Sequence, residues 1–572
     1  MNLLDRLRES FANAAPEGVD AAALGNSVRP GTDAKFGDYQ ANGCMALAKS
    51  LGVSPRDLAA RVAEVVDLGD MALKPEVAGP GFLNVRIRDE WIARRLRELL
   101  DDPTLGVAPP RRTRKMVIDF SSPNVAKPMH VGHIRSTVIG DCLARLFEAL
   151  GHHVIRDNHL GDWGSQFGMI LWGWKNARDD AAYASSPVRE LARLYRLAQS
   201  RIQAGDAGVE EASRRETAKL HAGDPENRAL WQQFMPSCLE AIEAIYSRLG
   251  VRFDVRLGES FYDPMLAGVV DDLTSRGFAV ESEGATVVFV EGSKTPFMVR
   301  KSDGAFTYAT TDLATIQYRV KTWNPDLMLY VVDHRQGDHF KLLFEVARRW
   351  GFDRVDYRHV AFGTVLGADR RPFKTRDGDV VGLESLLDDA VSEARALIDA
   401  NSPDIDPDER ALIAETVGLA AIKYADLSQN RLSDYVFDWK KMVAMNGNTG
   451  AYHQYAFARI RSIFRKGEVD PYALRSRRPE ITLGQPAERA LAMQVLRFPE
   501  TLELAANELK PNVLTDYLFE TANRFSTFFE ACPVLKAESA ALRDSRLALS
   551  DLTARVLERG LGLLGIEVLE RM

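Results

Sequence analysis

Two histidines three residues apart are the residues of this sequence best placed to do chemistry. His130 and His133 lie in the segment Ser121–Arg135 (SSPNVAKPMHVGHIR), with Gly132 between them and Lys127 just before them. At a helix N-terminus, backbone N–H groups and the helix dipole favour an anion, and imidazoles placed there can donate to phosphate oxygens. Gly132 leaves room for a flat base, and Lys127 adds a mobile positive charge. The pattern predicts a nucleoside triphosphate site.

Two other interpretations of the histidine pair remain open. Buried polar side chains usually find hydrogen-bond partners, so His130 and His133 could simply cap a helix. A metal-binding pair is less favoured, because two histidines on a helix bind a metal best four residues apart and no third ligand lies nearby in the sequence.

The elements around this segment predict a parallel sheet. An apolar strand at Met116–Phe120, a helix from about Gly132 to Leu150 and a strand at His153–Arg156 form a βαβ unit. A later strand at Leu327–Val332 is followed by a helix at His339–Trp350 and an extended segment, His359–Thr364. Together these halves predict an α/β, Rossmann-type doubly wound fold, with its ligand site at the carboxyl edge of the strands.

Three domains are predicted. Residues 1–105 suggest a small α/β unit, with Leu3, Leu4, Leu7 and Phe11 on one helix face, a helical pattern at Gln40–Leu51 and an extended segment at Phe82–Ile87. Residues 111–405 hold the doubly wound fold, interrupted by an insertion at about 175–297 and then by a hairpin that turns at Asp303-Gly304. Residues 406–572 predict an all-α helical bundle, and its helical segments are Pro407–Leu427, Tyr452–Arg465, Ala487–Ala506, Pro511–Cys532 and Ser550–Leu564.

Composition narrows the class of protein. The chain has 572 residues, of which 46% are hydrophobic and 27% charged, as expected for globular domains with real cores. Asp5 and Glu9 interrupt the N-terminus, which argues against a secretory signal, and no stretch approaches a membrane span. We therefore expect a cytoplasmic protein without a membrane partner. The net charge of −7 argues against nonspecific coating of nucleic acid but leaves a specific RNA partner open.

The four cysteines predict no metal site and no disulfide framework. Cys44, Cys142, Cys238 and Cys532 are far apart, and none forms a CxxC motif or a Cys/His cluster. We expect four reduced, buried thiols.

At family level, the sequence resembles the arginyl-tRNA synthetases, which are class I enzymes. His130-Val131-Gly132-His133 is similar to the class I signature His-Ile-Gly-His, and the longer run SSPNVAKPMHVGHIRST resembles the arginyl members specifically. The other segments that carry the resemblance are Phe36–Gln40, Gly79–Asn84, Asn158–Gly168 (NHLGDWGSQFG), Tyr308–Asp312, Tyr330–Phe340, Lys423–Arg431, Asp434–Trp439, Gly447–Thr449 and the C-terminal run LGLLGIEVLERM. The resemblance covers essentially the whole chain.

The second class I signature, Lys-Met-Ser-Lys-Ser, is degenerate here. The matching residues are Arg371-Pro372-Phe373-Lys374-Thr375, so arginine replaces the first lysine and phenylalanine replaces the serine. The resemblance implies that Lys374 binds the triphosphate and that Lys127 compensates for the lost lysine. The other nucleotide contacts that we expect are His130, His133, Gly132, Pro123, Val131 and His339, with Mg²⁺ entering bound to ATP and no protein metal site.

The resemblance also implies a site for arginine. A guanidinium needs paired carboxylate oxygens, and Asp312 and Glu259 are expected to supply them, with Tyr308 beside the side chain. Ser122 and Asn124 are expected to bind the amino and carboxylate ends, and Gln336 the ammonium or guanidinium region.

Contacts with tRNA are expected at both ends of the chain. In the C-terminal bundle, Tyr452, Tyr455, Arg459 and Arg461 combine rings that stack on bases with charges that bind phosphates, as anticodon recognition requires. In the N-terminal domain, the candidates for contact with the tRNA elbow are Phe36, Asp38, Tyr39, Gln40 and Asn84.

The implied activity is arginine–tRNA ligation by a monomer, through arginyl-adenylate and transfer to the terminal adenosine of tRNA(Arg). No residue is an obvious general base, so catalysis is expected to depend on positioning and electrostatics, with tRNA needed before adenylate forms. Three alternatives are a nucleotidyltransferase that does not use tRNA, a tRNA-binding protein without catalysis, and a synthetase for another amino acid. The appended domains argue against the first alternative, and the set of arginine contacts argues against the third. The second predicts loss of His130, His133, Lys127 or Asp312, and all four are present.

Overall fold

The computed structural model describes residues 2–125, 127–371, 373, 381–401 and 405–572. The chain forms two compact units. The first contains Met1–Pro110, Met445–Gly562 and Glu567–Met572, and the second contains Arg111–Ala444 and Leu563–Ile566. Residues 406–444, which the sequence assigned to the C-terminal bundle, thus belong to the compact unit of the parallel sheet.

The N-terminal part of the first unit is a small α/β structure. Its strands β1 (Val28–Pro30), β2 (Tyr39–Ala41), β3 (Glu76–Ala78) and β4 (Phe82–Val85) form an antiparallel sheet in the order β1-β2-β4-β3. Its helices are α1 (Leu3–Asn13), α2 (Ala21–Asn26), α3 (Cys44–Leu51), α4 (Pro55–Val65) and α5 (Asp89–Leu99). The predicted helix over Gln40–Leu51 is wrong at its start, because residues 39–41 pair with both β1 and β4 and the helix begins at Cys44.

The second unit contains two sheets and a short strand pair. Its strands are β5 (Lys115–Asp119), β6 (His153–Leu160), β7 (Val255–Gly258), β8 (Ala279–Ser282), β9 (Ala285–Val288), β10 (Phe297–Arg300), β11 (Leu327–Tyr330), β12 (Asp356–His359), β13 (Val365–Leu366) and β14 (Tyr435–Val436). The main sheet has the order β12-β11-β5-β6-β7, and all its pairings are parallel. The strand order reverses direction between β5 and β11, which is where doubly wound folds bind ligands.

Helices cover the parallel sheet and fill the insertion. They are α6 (Val131–Ala149), α7 (Ser165–Ala177), α8 (Asp180–Ser185), α9 (Pro187–Gln203), α10 (Ala207–His221), α11 (Pro225–Arg248), α12 (Glu259–Tyr262), α13 (Leu266–Ser275), α14 (Tyr308–Trp323), α15 (Gly337–Ala347), α16 (Leu383–Asn401), α17 (Pro407–Leu427) and α18 (Trp439–Met442). The hairpin predicted at Asp303-Gly304 is present only as a bridge between Arg300 and Phe306, because α14 begins at Tyr308.

The C-terminal part of the first unit is helical, as predicted. Its helices are α19 (Gly450–Lys466), α20 (Pro471–Arg477), α21 (Pro486–Leu496), α22 (Phe498–Glu508), α23 (Pro511–Ala531) and α24 (Ala540–Leu563). The single helix predicted over Ala487–Ala506 is divided at Arg497. Pro499, in the first turn of α22, has no N–H to donate, which suits the start of a helix rather than its interior.

One hydrophobic core of the second unit lies on one face of the parallel sheet. Met328 and Tyr330 of β11 pack there with Leu313 and Ile316 of α14, and all four side chains are buried. The opposite face of the sheet is also buried, at Met116, Ile118 and Leu329. The four cysteines are free and buried, as the sequence predicts. In the described part of the chain, no helix combines the length and hydrophobicity that crossing a membrane requires.

Candidate active site

The loop after β5 begins with a sharp turn. Ser121 and Ser122 have φ angles of 70° and 45°, in the left-handed region that costs energy for residues other than glycine. The Ser122 hydroxyl donates to Asp119 Oδ1 at 2.9 Å, and its backbone N–H donates to Asn158 Oδ1 at 3.1 Å. These two hydrogen bonds stabilise the strained turn and hold the loop at the edge of the sheet.

Asn124 lies on the same loop, bridged to Gly161 after β6. Its side-chain Oδ1 is buried and has no hydrogen-bond partner among the described residues. Such an orphaned acceptor normally requires a partner, and a bound ammonium group would supply one. Pro123, beside it, is buried.

The two histidines cap α6. Gly132 N–H donates to His130 Nδ1 at 3.1 Å, and the His130 backbone N–H donates to His133 Nδ1 at 3.0 Å. Since both Nδ1 atoms accept, the neutral rings carry their proton on Nε2. The capping interpretation is therefore confirmed, and it is compatible with phosphate binding because each Nε2–H remains a donor.

Burial keeps both imidazoles neutral. It lowers the pKa of His133 to about 3, and the nearby His130 contributes in the same direction. Burial and the charge of Lys127 lower the pKa of His130. A Cβ on Gly132 would lie 2.9 Å from His130 Cε1, so a larger residue here would have to displace the imidazole from its capping position. Val131 is buried at the helix start.

Of the two lysines expected at the triphosphate, Lys127 is among the described residues. Lys127 lies with its Nζ 4.7 Å from the centroid of the Tyr195 ring, in α9 of the insertion. Lys374 lies outside the described residues. Its neighbour Phe373 stacks on Phe437 with ring centroids 4.8 Å apart, so the residue that replaces the signature serine has a packing role.

A cavity of about 250 Å³ collects five predicted residues that are far apart in the sequence. Glu259, Tyr308, Asp312, Gln336 and His339 line it together with two residues that sequence reasoning missed, His159 and Thr311. His159 is the next-to-last residue of β6 and lies in the segment Asn158–Gly168, which carried the resemblance. Thr311 directly precedes Asp312. Ser122 and Asn124 lie instead on the loop after β5.

Asp312 is paired with His339. His339 Nε2 lies 2.6 Å from Asp312 Oδ2, and the imidazole stacks on Phe297. Burial lowers the pKa of His339, but the hydrogen bond and the charge of Asp312 outweigh it and leave the pKa raised. His339, expected at ATP, therefore lies beside the residue expected to bind guanidinium.

Glu259 is the second carboxylate of the cavity. It begins the short helix α12, directly after β7. Burial raises its pKa to about 7, and Asp162 and Asp312 add to the rise while His159 opposes it. A cation bound in the cavity would neutralise this concentrated negative charge.

Arg319, Asp157 and Asp119 form a buried ion triad. Arg319, on α14 like Asp312, donates to Asp157 Oδ2 at 2.8 Å and to Asp119 Oδ2 at 2.6 Å. Arg319 is fully buried, and its guanidinium lies over the Tyr330 ring. These contacts tie α14 to the last residue of β5 and to the middle of β6. No local pattern in the sequence points to them.

The N-terminal candidates for tRNA contact have different positions in the first unit. Tyr39 is fully buried and donates to Glu500 at 2.9 Å, and Asp38 is buried in an ion pair with Arg489 at 2.8 Å. Both therefore pack the small sheet against α21 and α22, in place of the tRNA contact expected from the sequence.

Two N-terminal candidates, Gln40 and Phe36, lie closer to the surface. Gln40 is half-buried and donates at 2.8 Å to Oδ1 of Asn84 on the neighbouring strand, and Asn84 itself is buried. Phe36 is 42% exposed and is the N-terminal candidate best placed to meet a base.

The C-terminal candidates lie on α19. Tyr452 donates to Asn523 at 3.0 Å, and Arg459 lies over the Phe529 ring. Arg461 is paired with Glu570 at 3.0 Å. Tyr455 is 44% exposed, so its ring is available for stacking.

Among the residues that the structure describes, no cluster of three or more His, Cys, Asp or Glu side chains could hold a metal ion.

Known solved structures share this architecture. An arginyl-tRNA synthetase from Plasmodium falciparum matches with a TM-score of 0.83 at 27% identity, covering 99% of this chain and 98% of that chain. The arginyl-tRNA synthetase of Thermus thermophilus also gives a TM-score of 0.83, at 26% identity over the full length of both chains.

Sequence comparisons agree over the whole chain. Arginine–tRNA ligases from Rhodopirellula baltica and Salmonella enteritidis are each 44% identical, over 100% of both chains. Three family models match: the arginyl-tRNA synthetase N-terminal domain at residues 2–87, the catalytic domain of class I (R) tRNA synthetases at 96–439, and the DALR anticodon-binding domain at 453–572. The chain belongs to the arginyl-tRNA synthetase family of class I.

Proposed function

We propose that this protein activates L-arginine with ATP and joins it to tRNA(Arg). The observation that carries the proposal is the cavity in which Glu259 and Asp312 converge, on the same sheet edge as the capped histidines. Two carboxylates in one small cavity suit a guanidinium, whose planar donors pair with carboxylate oxygens.

Four side chains of the cavity and two on the loop after β5 have proposed tasks. Asp312 and Glu259 accept from the guanidinium, and Tyr308 covers the aliphatic stem of arginine. Gln336 binds the ammonium or guanidinium region. The orphaned Oδ1 of Asn124 accepts from the α-ammonium, and Ser122 helps to orient the carboxylate.

ATP is proposed to lie over the start of α6. The Nε2–H groups of His130 and His133 donate to phosphate oxygens, and Gly132 lets the adenine approach the backbone. Lys127 and Lys374 neutralise charge that builds on the α-phosphate and on departing pyrophosphate. Mg²⁺ is proposed to arrive with ATP, since Mg²⁺ typically binds substrate phosphates with few protein ligands.

The reaction is proposed to have two steps. The arginine carboxylate attacks the α-phosphate to form arginyl-adenylate and pyrophosphate, and the 2′-hydroxyl of the terminal adenosine of tRNA then attacks the carbonyl to release AMP. The site offers neutral donors and fixed charges rather than a dedicated base, so positioning and electrostatic stabilisation supply the rate.

The tRNA contacts and the cellular setting complete the proposal. Tyr455 and Arg459 of α19 are proposed to meet the anticodon, and Phe36 the elbow. We propose that the protein acts as a monomer in the cytoplasm, where translation consumes charged tRNA.

The test is tRNA charging with labelled arginine, with His133→Ala as the variant and the exposed Asp271→Asn as the matched control. Loss of a phosphate donor should lower kcat/KM for ATP about 100-fold or more in His133→Ala, while the control charges normally. Equal charging by all three proteins would overturn the site assignment. Rapid ATP–pyrophosphate exchange without tRNA would contradict the requirement for tRNA.

A further inference from the structure

Asp162 has no role in the proposed reaction, yet it makes specific contacts beside the cavity. It lies in the loop after β6, within the run Asn158–Gly168. Its Oδ1 accepts from the Ser260 backbone N–H at 2.9 Å, and its Oδ2 accepts from the Ser260 hydroxyl at 2.5 Å. Ser260 directly follows Glu259 in α12.

These contacts cap α12 from elsewhere in the chain. The N-cap residue of α12 is Gly258, which has no side chain to accept from the first turn. An acceptor at this position normally comes from the N-cap residue itself. Here it comes from Asp162, 98 residues earlier.

Gly258 is required by the same arrangement. A Cβ added to it would lie 2.2 Å from the Asp162 carboxyl carbon, so only glycine lets the carboxylate reach the helix start. Asp162 is also 4% exposed, and it is therefore clamped between β7 and α12.

We propose that Asp162 is a positioning residue for arginine recognition, because it fixes α12 and thereby holds the Glu259 carboxylate in the cavity. This inference rests on the proposed function and assigns a task to the loop after β6. The side chain of Asp162 touches Ser260 rather than the substrate, so it acts through Glu259.

The negative charge of Asp162 also contributes to the raised pKa of Glu259. The titratable groups around Glu259 are His159, Asp162, Tyr308, Asp312 and His339. Burial raises the pKa of Glu259 to about 7, with Asp162 and Asp312 adding to the rise and His159 opposing it. Removing the Asp162 charge should therefore allow Glu259 to ionise at lower pH.

Two substitutions separate position from charge. Asp162→Asn keeps the shape and an acceptor for the Ser260 N–H but removes the charge, whereas Asp162→Ala removes both. Ser260→Ala deletes only the hydroxyl contact, and Asp271→Asn, on the exposed side of α13, is the matched control. The assay is tRNA charging, with kcat/KM for arginine measured across pH and KM for ATP measured in parallel.

In Asp162→Asn, the acidic fall of kcat/KM for arginine should move to lower pH by about half a unit or more. In Asp162→Ala, KM for arginine should rise about tenfold at alkaline pH while KM for ATP changes less than about twofold. If Asp162→Ala does not fold, Ser260→Ala decides, with an expected rise of about threefold in KM for arginine.

An unchanged KM for arginine in both Asp162→Ala and Ser260→Ala would overturn the inference, as would parallel rises in KM for arginine and ATP. If the wild-type protein charges tRNA with arginine and the Asp162 variants match it, only the role of Asp162 fails. A wild-type protein that charges no tRNA with arginine overturns the proposed function, and this inference with it.

Discussion

His339 Nε2 lies 2.6 Å from Asp312 Oδ2, which joins the start of α15 to the first turns of α14. The contact uses one oxygen of the carboxylate that we assign to the guanidinium. An arginine side chain that binds both oxygens must therefore share Asp312 with His339, so the imidazole orients the carboxylate before the substrate arrives.

A double-mutant cycle measures this contact. His339→Asn and Asp312→Asn, singly and together, should show a coupling of about 1–2 kcal/mol in the free energy of unfolding, as expected for a partly buried hydrogen bond to a charged group. Urea denaturation of the four proteins provides the values. Single effects that add to the double within about 0.5 kcal/mol would show that the two side chains do not interact.

The pH dependence of arginine use should follow Glu259. Its raised pKa of about 7 means that the carboxylate is ionised above that pH and is protonated as pH falls through it. A guanidinium needs the ionised form, so kcat/KM for arginine should be constant in the alkaline range and fall on acidification.

Glu259→Gln should lower kcat/KM for arginine about 100-fold at alkaline pH. It should also reduce the fall in kcat/KM on acidification, because the protonation of Glu259 no longer contributes to it. The pKa of His339 is also raised, because the hydrogen bond and charge of Asp312 outweigh the lowering effect of burial, so the double variant with His339→Asn should give the flattest profile. A wild-type profile that stays level through the acidic range would contradict the assignment of Glu259.

Arg319 should be among the least replaceable residues of the second unit. Arg319→Met removes the charge but leaves Asp119 and Asp157 buried without their partner, and breaking such a buried pair costs about 3–5 kcal/mol. Arg319→Lys should destabilise the protein less than Arg319→Met but should not match the wild type, since a lysine can reach only one carboxylate well.

Chemical denaturation of these two variants tests the role of the triad. Arg358→Met, at a surface ion pair with Asp356, is the control and should cost less than about 1 kcal/mol. Equal stability of Arg319→Met and Arg358→Met would contradict a structural role for the buried triad.

Tyr455 should contribute to tRNA binding more than its neighbours on α19. Its ring is exposed, whereas Arg461 is already paired with Glu570. Tyr455→Ala should raise KM for tRNA about tenfold, as expected for loss of one stacked base. Tyr472→Ala, an exposed tyrosine on α20, is the control. The same KM for tRNA in both variants would contradict an anticodon contact at Tyr455.

The parallel sheet and most of the cavity were predictable from the sequence. Apolar strands before and after a helix of 19 residues give the βαβ unit, and helix α17 was predicted with its observed bounds. Of the cavity, Tyr308 and Asp312 lie in one run, Gln336 and His339 in another, and family resemblance placed both runs at the site.

What the sequence did not reveal are contacts between residues far apart in the chain. The Asp162–Ser260 and Arg319–Asp157 contacts join residues 98 and 162 positions apart, and no periodicity or spacing encodes such pairs. Tyr39 shows the converse. The family resemblance made it a candidate for contact with the tRNA elbow, but a strand position facing α22 buries the ring.

We propose above all that the cavity around Asp312 and Glu259 binds the guanidinium of arginine and selects arginine by it. The most direct measurement compares tRNA charging with arginine and with citrulline, whose neutral urea group has nearly the same shape. We predict that wild type favours arginine by about 1,000-fold in kcat/KM, and that Asp312→Asn reduces this preference at least about tenfold. Equal use of citrulline and arginine by wild type, or an unchanged preference in Asp312→Asn, would contradict the claim.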